Sequence, residues 1–283
     1  MAKNKDTYRR MLAAVGLVVA LAYGCAGPPA VDHGGELSSK EDQIAFVRSP
    51  SFEGTDIESD IYSINVDGTR ERRLTDTPGL DAFPSWSPDG QRLLFATDRA
   101  GGGNWELYVM GSDGTHQRRL TDTPEEDEAA PAWSPDGERI AYVTDIASED
   151  PSIHVMNADG SDRRRLASGN WPSWSPNGKR MAYTTYHYFG AQFRLAVMDA
   201  DGSDQHGLAD SPIGRLTGAA YAEEPAWSPA GTRIAFSGKP IVGDAEIYVM
   251  NSDGSGLTRL TFDPAEDAFP AWRPSGSSST HAR

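Results

Sequence analysis

One phrase recurs five times along the 283 residues, and it constrains the fold more than any other feature. It has the form Pro-x-Trp followed by a turn-forming Pro-x-Gly, and its copies are FPSWSPDG, APAWSPDG, WPSWSPNG, EPAWSPAG and FPAWRPSG. Their tryptophans are Trp86, Trp133, Trp174, Trp227 and Trp272, which lie 47, 41, 53 and 45 residues apart. Spacings in this range are typical of repeated four-stranded units. The chain is therefore predicted to fold as an array of similar units.

Each unit can be divided into four short strands. The tryptophan lies on the first strand, which ends in a Pro-Asp-Gly type of turn that suits a hairpin. Short apolar strands such as RLLFAT and RIAYVT come second, and alternating strands such as ELYVM come third. A second Asp-Gly turn, as at Asp113-Gly114, leads to the outer strand RRLT. Four antiparallel strands and two turns make one blade of a β-propeller, so the predicted fold class is all-β.

The phase of the repeat predicts how the array closes. The first unit starts at its second strand, from Gln43, and the last unit ends just after its first strand, around Trp272. Pairing the strand at Trp272 beside Gln43–Arg48 would complete a blade and remove a free sheet edge. This count predicts five blades over residues 43–276, with residues 277–283 as a disordered tail; six blades are the alternative.

The N-terminus has the pattern of an export signal over residues 1–24. Four basic residues precede the apolar run MLAAVGLVVALA, whose twelve residues are too few for a membrane span of about 20 residues. The single cysteine, Cys25, follows Gly24 in a stretch that resembles a bacterial lipobox, so we predict that Cys25 is lipidated; cleavage by ordinary signal peptidase is the alternative. Residues 25–42 are predicted to be a flexible tether, and the protein is predicted to be exported to the periplasm or anchored in the cell envelope by lipid.

The charge balance excludes one class of partner. There are 41 acidic and 26 basic residues, which give a formal net charge of −15. A nucleic-acid-binding protein normally has a basic surface, so this class of function is excluded.

The repeated phrases resemble those of the TolB-like β-propellers of the bacterial cell envelope. The resemblance covers roughly residues 43–276 and implies the propeller without the N-terminal domain that precedes it in TolB. Within this family the same repeats occur in peptidases, in lyases and in envelope proteins, so the resemblance alone does not assign one function.

The sequence contains no recognisable catalytic motif. No Gly-x-Ser-x-Gly elbow is present. The six histidines are scattered over different repeats and do not form the cluster that a metal-dependent enzyme needs. We therefore expect no metal and no cofactor, and we keep His187, in the aromatic stretch YHYF, as the one histidine that could contact a ligand.

Acidic residues precede the Pro-x-Trp phrases and are predicted to surround one mouth of the propeller channel. These candidates are Asp81, Asp127, Glu128, Glu223, Glu224 and Asp267. The loops between second and third strands would add Glu53, Asp56, Glu58, Asp60, Glu149, Asp150, Asp244 and Glu246 on the same face. The alternative is structural, because carboxylates of this kind can also accept hydrogen bonds from nearby backbone N–H groups and stabilise turns.

Two tryptophans lie outside the repeat pattern and are predicted to contact a ligand. The five repeated tryptophans are predicted to pack between adjacent blades, whereas Trp105 and Trp171 fall in loops on the proposed binding face.

Two functions follow from these observations. The first is a noncatalytic envelope scaffold that binds a protein or peptide at the acidic mouth, where a basic partner is one candidate. This function involves no nucleic acid, and the membrane is contacted only through lipid on Cys25. The alternative is a carbohydrate-active or hydrolytic enzyme that uses the loop carboxylates as general acid and base.

Overall fold

A computed structural model gives the architecture of the chain. It describes residues 43–48, 58–65, 69–101, 104–146, 148, 150–187, 192–208, 219–240, 245–262, 267, 270 and 272. The signal segment, Cys25, the tether and the C-terminal tail lie outside these residues. The described residues contain strands and no helix, which confirms the all-β prediction. No helix among them has the length and apolar character needed to cross a membrane.

The first compact unit of the chain, up to Asn170, contains three blades. Blade 1 has three described strands: β1 (Gln43–Arg48), β2 (Asp60–Asn65) and β3 (Arg72–Arg73). Blade 2 contains β4 (Asp81–Trp86), β5 (Arg92–Thr97), β6 (Glu106–Gly111) and β7 (Arg118–Arg119). Blade 3 contains β8 (Glu128–Trp133), β9 (Arg139–Thr144), β10 (Ser152–Asn157) and β11 (Arg164–Ser168). In each blade, strands that are consecutive in sequence pair antiparallel.

The second compact unit starts at Trp171 and contains the other two blades. Blade 4 consists of β12 (Asn170–Trp174), β13 (Arg180–His187), β14 (Gln192–Asp199) and β15 (His206–Gly207). Blade 5 consists of β16 (Ala219–Trp227), β17 (Arg233–Pro240), β18 (Glu246–Asn251) and β19 (Thr258–Arg259). A single parallel bridge between Phe193 and Tyr221 joins these two blades into one sheet.

The predicted five-bladed propeller is therefore confirmed, in preference to six blades. The predicted closure of the ring, with the strand at Trp272 beside Gln43–Arg48, falls on a segment of which only Asp267, Pro270 and Trp272 are described. It stays a prediction.

The first of the two predicted hairpin turns, Ser-Pro-Asp-Gly, has the geometry that its residues favour. In blade 2, Gly90 has a φ of 65° and its N–H donates to the carbonyl of Ser87 at 2.8 Å. The hydroxyl of Ser87 donates to Asp89 Oδ1 at 2.6 Å, and this carboxylate oxygen also accepts from the N–H of Gln91 at 3.0 Å. The Ser-Pro-Asp-Gly phrase thus satisfies its own polar groups and folds as a local unit.

Two of the repeated tryptophans, Trp133 and Trp227, pack against the blade that precedes them. Trp133, Trp174 and Trp227 are each 7% exposed. The guanidinium of Arg92, on the second strand of blade 2, lies 4.6 Å from the ring centre of Trp133 in blade 3. In the second unit, Arg180 lies over Trp227 in the same way at 5.5 Å. This recurrent stacking combines burial of a large ring with a cation–π contact, and it explains why the tryptophan occurs once per blade.

Each first strand also bends at the residue that precedes the proline. Phe83, Ala130, Trp171 and Glu224 occupy this position with φ between 48° and 57°. The pairing register shifts across the position in β4, β8 and β16. Proline disfavours the right-handed helical region for the residue before it, and a bulge with positive φ directs the start of the strand away from its regular path. The acidic residues lie on this redirected segment.

Candidate functional site

The candidate site is the edge of each blade at which the first and third strands begin. In blade 2, Asp81 at the start of β4 pairs with Thr97 at the end of β5, which pairs in turn with Glu106 at the start of β6. The loop after the second strand and the connection before the first strand therefore lie at the same edge, as the sequence analysis expected. We call this edge of a blade the acidic edge.

Asp81 is fully buried at the acidic edge of blade 2. Its Oδ2 accepts a hydrogen bond from Arg99 Nη2 at 2.7 Å, and the Arg99 side chain is itself only 11% exposed. Burial raises the pKa of the Asp81 carboxyl, while Thr75, Thr97 and Arg99 oppose the rise. The Arg99 contact gives Asp81 a structural role as one half of a buried ion pair.

Asp127 stabilises a turn in the same unit. It is 4% exposed, and its Oδ1 accepts the backbone N–H of Trp105 at 2.9 Å. The backbone N–H of Asp145 donates to the Asp127 carbonyl at 2.8 Å. Asp127 therefore ties the connection before β8 to the residue before β6, which is the structural alternative that the sequence analysis left open.

Glu128 and Glu106 form a second buried acidic arrangement. Glu128 is 1% and Glu106 is 0% exposed. Glu106 accepts hydrogen bonds from Arg119, from Asn104 Nδ2 at 2.9 Å and from the backbone N–H of Thr123 at 3.1 Å. Glu128 accepts a hydrogen bond from the Thr123 hydroxyl. Burial raises the pKa of Glu128 to about 8, and the charge of Glu106 adds to the rise while Thr123 opposes it. Glu128 is thus mostly protonated at neutral pH.

In blade 5 two consecutive glutamates lie at the bulge of β16. Glu223 pairs with Ser237 in the sheet register, and Ser237 Oγ donates to Glu224 Oε2 at 2.7 Å. Both glutamates are half-buried. Burial raises the pKa of Glu223 to about 7, and the neighbouring charge of Glu224 adds to this effect. Of the candidate acids in the described part of the chain, this pair combines partial exposure with a carboxyl group, that of Glu223, whose pKa is raised.

Asp267 follows blade 5 at the corresponding edge. Its backbone N–H donates to the carbonyl of Ala245 at 2.7 Å. Its Oδ2 is buried and has no hydrogen-bond partner among the described residues.

The register corrects one part of the sequence interpretation. Asp81 and Glu128 are equivalent, since each pairs with a threonine at the end of the second strand, Thr97 or Thr144. Asp127 lies one residue before this position, and Glu223 lies one residue after it. The acids that precede the Pro-x-Trp phrases therefore do not all occupy equivalent positions in their blades, and a shift of one residue changes the direction of a strand side chain.

The sequence analysis missed a recurrent ion pair that uses the outer strand. An arginine two residues before Thr75, Thr121 or Thr261 binds the acid that starts the third strand. The pairs are Arg73–Asp60 at 2.7 Å, Arg119–Glu106 and Arg259–Glu246. Each arginine Nε also donates to the carbonyl of that threonine, at 2.6–2.8 Å. The constant spacing of 13 residues between acid and arginine was the signal that could have revealed this pair.

The aromatic candidates differ in accessibility. Trp105 is 3% exposed and belongs to the core of the first unit, with its ring centre 6.1 Å from that of Phe83. Trp171 is half-buried and has a φ of 53°. His187 ends β13 opposite Gln192, and its side chain lies outside the described part of the structure, as does Cys25. Trp105 thus has a packing role, and the ligand-binding role predicted for Trp171 and His187 stays a prediction.

The described carboxylates and histidines do not assemble into a metal centre. Over the residues that the structure describes, no group of three or more His, Cys, Asp or Glu side chains is arranged to hold a metal ion. The chemistry that the described acidic edges can supply is hydrogen bonding, ion pairing and, at Glu223 and Glu128, proton exchange near neutral pH.

Comparisons with solved structures agree with this architecture. TolB from Acinetobacter baumannii is 17% identical and superposes with a TM-score of 0.65 over 79% of this chain and 54% of that one. A putative TolB from Agrobacterium tumefaciens is 27% identical, with a TM-score of 0.60 over 75% and 72% of the two chains. A puromycin-hydrolyzing peptidase from Mycobacterium tuberculosis shares the fold, at 18% identity and a TM-score of 0.54 over 72% and 34%.

Sequence matches to curated TolB proteins and to a protein family show which family the chain belongs to. A TolB homolog of Chlorobium luteolum is 45% identical over 51 residues, which are 18% of this chain and 11% of that protein. The Tol-Pal system protein TolB of Bordetella pertussis is 42% identical over 45 residues, or 16% and 10%. The chain thus matches only about a tenth of the length of these relatives. The family described as the TolB beta propeller domain, however, matches residues 37–211 and 172–282. Because these matches extend over most of the chain, it belongs to the TolB β-propeller family.

Proposed function

We propose that the protein is a noncatalytic propeller of the cell envelope that binds a protein or peptide partner. The observation that carries this proposal is the family match over residues 37–282, taken with a relative that is named as a component of the Tol-Pal system. A β-propeller of rigid blades presents several loops at one edge, which suits the recognition of another polypeptide.

The partner is proposed to bind at the acidic edge of blade 5. Glu223 and Glu224 are half-buried there, whereas Asp81, Asp127 and Glu128 in the first unit are almost fully buried. Ion pairing of Asp81 and protonation of Glu128 also reduce the negative charge that the sequence suggested for that unit. On blade 5, a basic segment of the partner would find its charged acceptor mainly in Glu224, because burial and the charge of Glu224 raise the pKa of Glu223 to about 7. Binding would weaken as salt rises.

The experiment is affinity capture from envelope extracts of the source cells, at several salt concentrations. The wild-type chain is compared with Glu223→Gln/Glu224→Gln and with a control, Asp201→Asn/Asp253→Asn, which removes two exposed charges from the turns at the opposite edges of blades 4 and 5. We expect one partner to be retained by wild type and control and lost by the glutamate variant. Equal capture by all three proteins would contradict binding at this edge.

A second candidate function is favoured by the carboxyl groups themselves. A general acid and base need different protonation states near neutral pH, and Glu223, with a pKa of about 7, lies beside Glu224. A hydrolytic or carbohydrate-active reaction would use this pair. Turnover of a peptide or oligosaccharide that is lost in Glu223→Gln, with folding intact, would establish the enzyme and replace the scaffold proposal.

We further propose that the protein is exported and held at the membrane by lipid on Cys25. The basic, apolar and small-residue segments that precede this cysteine support the proposal. Mass spectrometry of the membrane fraction should find a lipidated N-terminal Cys25, and Cys25→Ser should release the protein from membranes. Membrane attachment that is unchanged in Cys25→Ser would remove the anchor.

A further inference from the structure

Blades 2 and 3 differ at one position that decides the charge of a buried carboxyl group. Asp81 and Glu128 are equivalent, and the residues two places beyond their paired threonines are Arg99 and Ile146. In blade 2, the Arg99 guanidinium neutralises Asp81 at 2.7 Å. In blade 3, Ile146 is an apolar side chain that is 4% exposed. The cation that neutralises the acid in blade 2 is thus replaced in blade 3 by a side chain that carries no charge.

Two buried carboxylate oxygens near Glu128 lack a hydrogen-bond donor. Glu128 Oε2 and Glu106 Oε2 are both buried, and neither has a hydrogen-bond partner as an ionised group. The two carboxyl groups contact the same residue, since Thr123 donates its backbone N–H to Glu106 and its hydroxyl to Glu128. Arg119 binds Glu106 through its Oε1, and this guanidinium is shared with the exposed Asp122 at 2.8 Å. The partly exposed Arg119 therefore divides its charge between Glu106 and Asp122, and the ion pairs of the described residues include no cation bound to Glu128.

We propose that Glu128 holds a proton at neutral pH and donates it in a hydrogen bond to Glu106, and that the junction between blades 2 and 3 loosens when this proton is lost. A hydrogen bond from one carboxyl group to the other removes one charge and satisfies the remaining acceptor. When the proton leaves, two negative charges face each other in a site that water does not reach, which is unfavourable. The connection between β7 and β8 is the segment that yields, because Thr123 contacts both carboxyl groups.

The charge balance around the pair supports this assignment. Besides the pair itself, the strands and loops packed at this end carry further titratable and charged groups. From blade 2 and the connection to blade 3 these are Asp81, Asp98, Arg99, Arg119, Asp122, Glu125, Glu126 and Asp127, and from blade 3 they are Tyr142, Asp145, Asp150, His154 and Arg163, whose guanidinium binds the Leu120 carbonyl at 2.8 Å. Asp81 already holds Arg99, and Arg119 already holds Glu106. Burial, together with the charge of Glu106, raises the pKa of Glu128 to about 8. The Glu128 charge in turn contributes to the raised pKa of Tyr142.

The direction of the pH effect follows from linkage. In the unfolded chain Glu128 has the ordinary pKa of 4.5, so the folded protein binds one more proton between about pH 5 and pH 8. The stabilisation from this proton is complete below the unfolded pKa and is lost as the pH rises through about 8. This inference is independent of the proposed partner, since it concerns folding alone.

The test compares wild type with Glu128→Gln by chemical denaturation between pH 5 and pH 9. The Gln amide can donate to Glu106 Oε2 as the proton does, but it does not titrate. The unfolding constant of wild type, divided by that of the variant, should rise about tenfold per pH unit from pH 5 to pH 8 and then level off. A ratio that stays constant over this range would overturn the proposal.

Two further measurements keep the proposal testable if Glu128→Gln does not fold. Carbon-13 NMR of glutamate carboxyl groups in Glu223→Gln, which removes the other carboxyl group with a raised pKa, should show one carboxyl that titrates near pH 8; titration of every remaining glutamate below pH 6 would overturn the proposal. Ile146→Arg supplies the cation found at Arg99 and should abolish the rise in the unfolding constant. Asp81→Asn is the matched control: it should lower stability by leaving Arg99 unpaired, with the pH dependence of wild type retained.

Discussion

The backbone N–H of Trp105 donates to Oδ1 of Asp127 at 2.9 Å, across 22 residues of sequence. Both residues are buried, at 3% and 4% exposure. The contact links the start of the third strand of blade 2 to the connection that leads into blade 3. Two residues that the sequence suggested for ligand binding thus bind each other, and their interaction stabilises the junction between two blades.

Asp127→Ala should therefore destabilise the protein. The substitution leaves the buried N–H of Trp105 without an acceptor, which costs about 1–3 kcal/mol of unfolding free energy. Asp127→Asn retains a side-chain oxygen and should recover most of this loss. Denaturant titration measures both effects. Asp122→Ala, in the same connection but 79% exposed, is the control and should change stability by less than about 0.5 kcal/mol. Equal losses for Asp127→Ala and Asp122→Ala would contradict a structural role for Asp127.

Arg99→Ala should be more damaging than Arg48→Ala. Arg99 pairs with fully buried Asp81, and its removal leaves an uncompensated buried carboxyl group, at a cost of about 3–5 kcal/mol. Arg48 makes a comparable bidentate contact with Glu71, but the two side chains are 40% and 39% exposed, so its removal should cost about 1 kcal/mol or less. Thermal or chemical unfolding of the two variants distinguishes these cases. Similar losses would show that Asp81 is not held by Arg99.

Gly160→Ala should destabilise the contact between blades 2 and 3. Gly160 has a φ of 95°, and a Cβ atom added there would lie 2.9 Å from the carbonyl oxygen of Leu120. The combined cost of backbone strain and overpacking is about 2–4 kcal/mol. Gly90, with a φ of 65° and no atom within 4 Å of such a Cβ, is the control. Its substitution should cost only the strain, about 1–2 kcal/mol. If the two variants unfold at the same denaturant concentration, the Leu120 contact contributes nothing.

The fold could be predicted from the sequence because its information is local and repeated. The turns at Asp89-Gly90 and similar positions determine hairpins by their own backbone preferences, and the tryptophan in each copy marks the first strand. Five copies of one local pattern leave little freedom in the fold class. The same repetition groups the acids before each Pro-x-Trp phrase, although their distances to the proline differ: Asp81 and Glu128 lie three residues before it, Asp127 four and Glu223 two.

The roles of the acids could be predicted only in part. Counting from the tryptophan shows that Arg99 and Ile146 both lie thirteen residues after Trp86 or Trp133, so the missing cation was visible in the sequence. What the sequence does not give is burial and side-chain contact. The raised pKa of Glu128 depends on its 1% exposure and on the approach of Glu106, and both depend on the register of strands that are not adjacent in sequence.

The central claim, that the acidic edge of blade 5 binds another protein, can be tested in intact source cells with a photo-crosslinking amino acid. The label is placed at position 239, near the end of β17 at the acidic edge, which leaves Glu223 and Glu224 in place, or at position 253, in the exposed turn at the opposite end of the same blade. Irradiation should crosslink one specific protein from position 239 and none from position 253, with both variants exported and folded. Crosslinks of equal yield from the two positions, or none from position 239, would contradict the account.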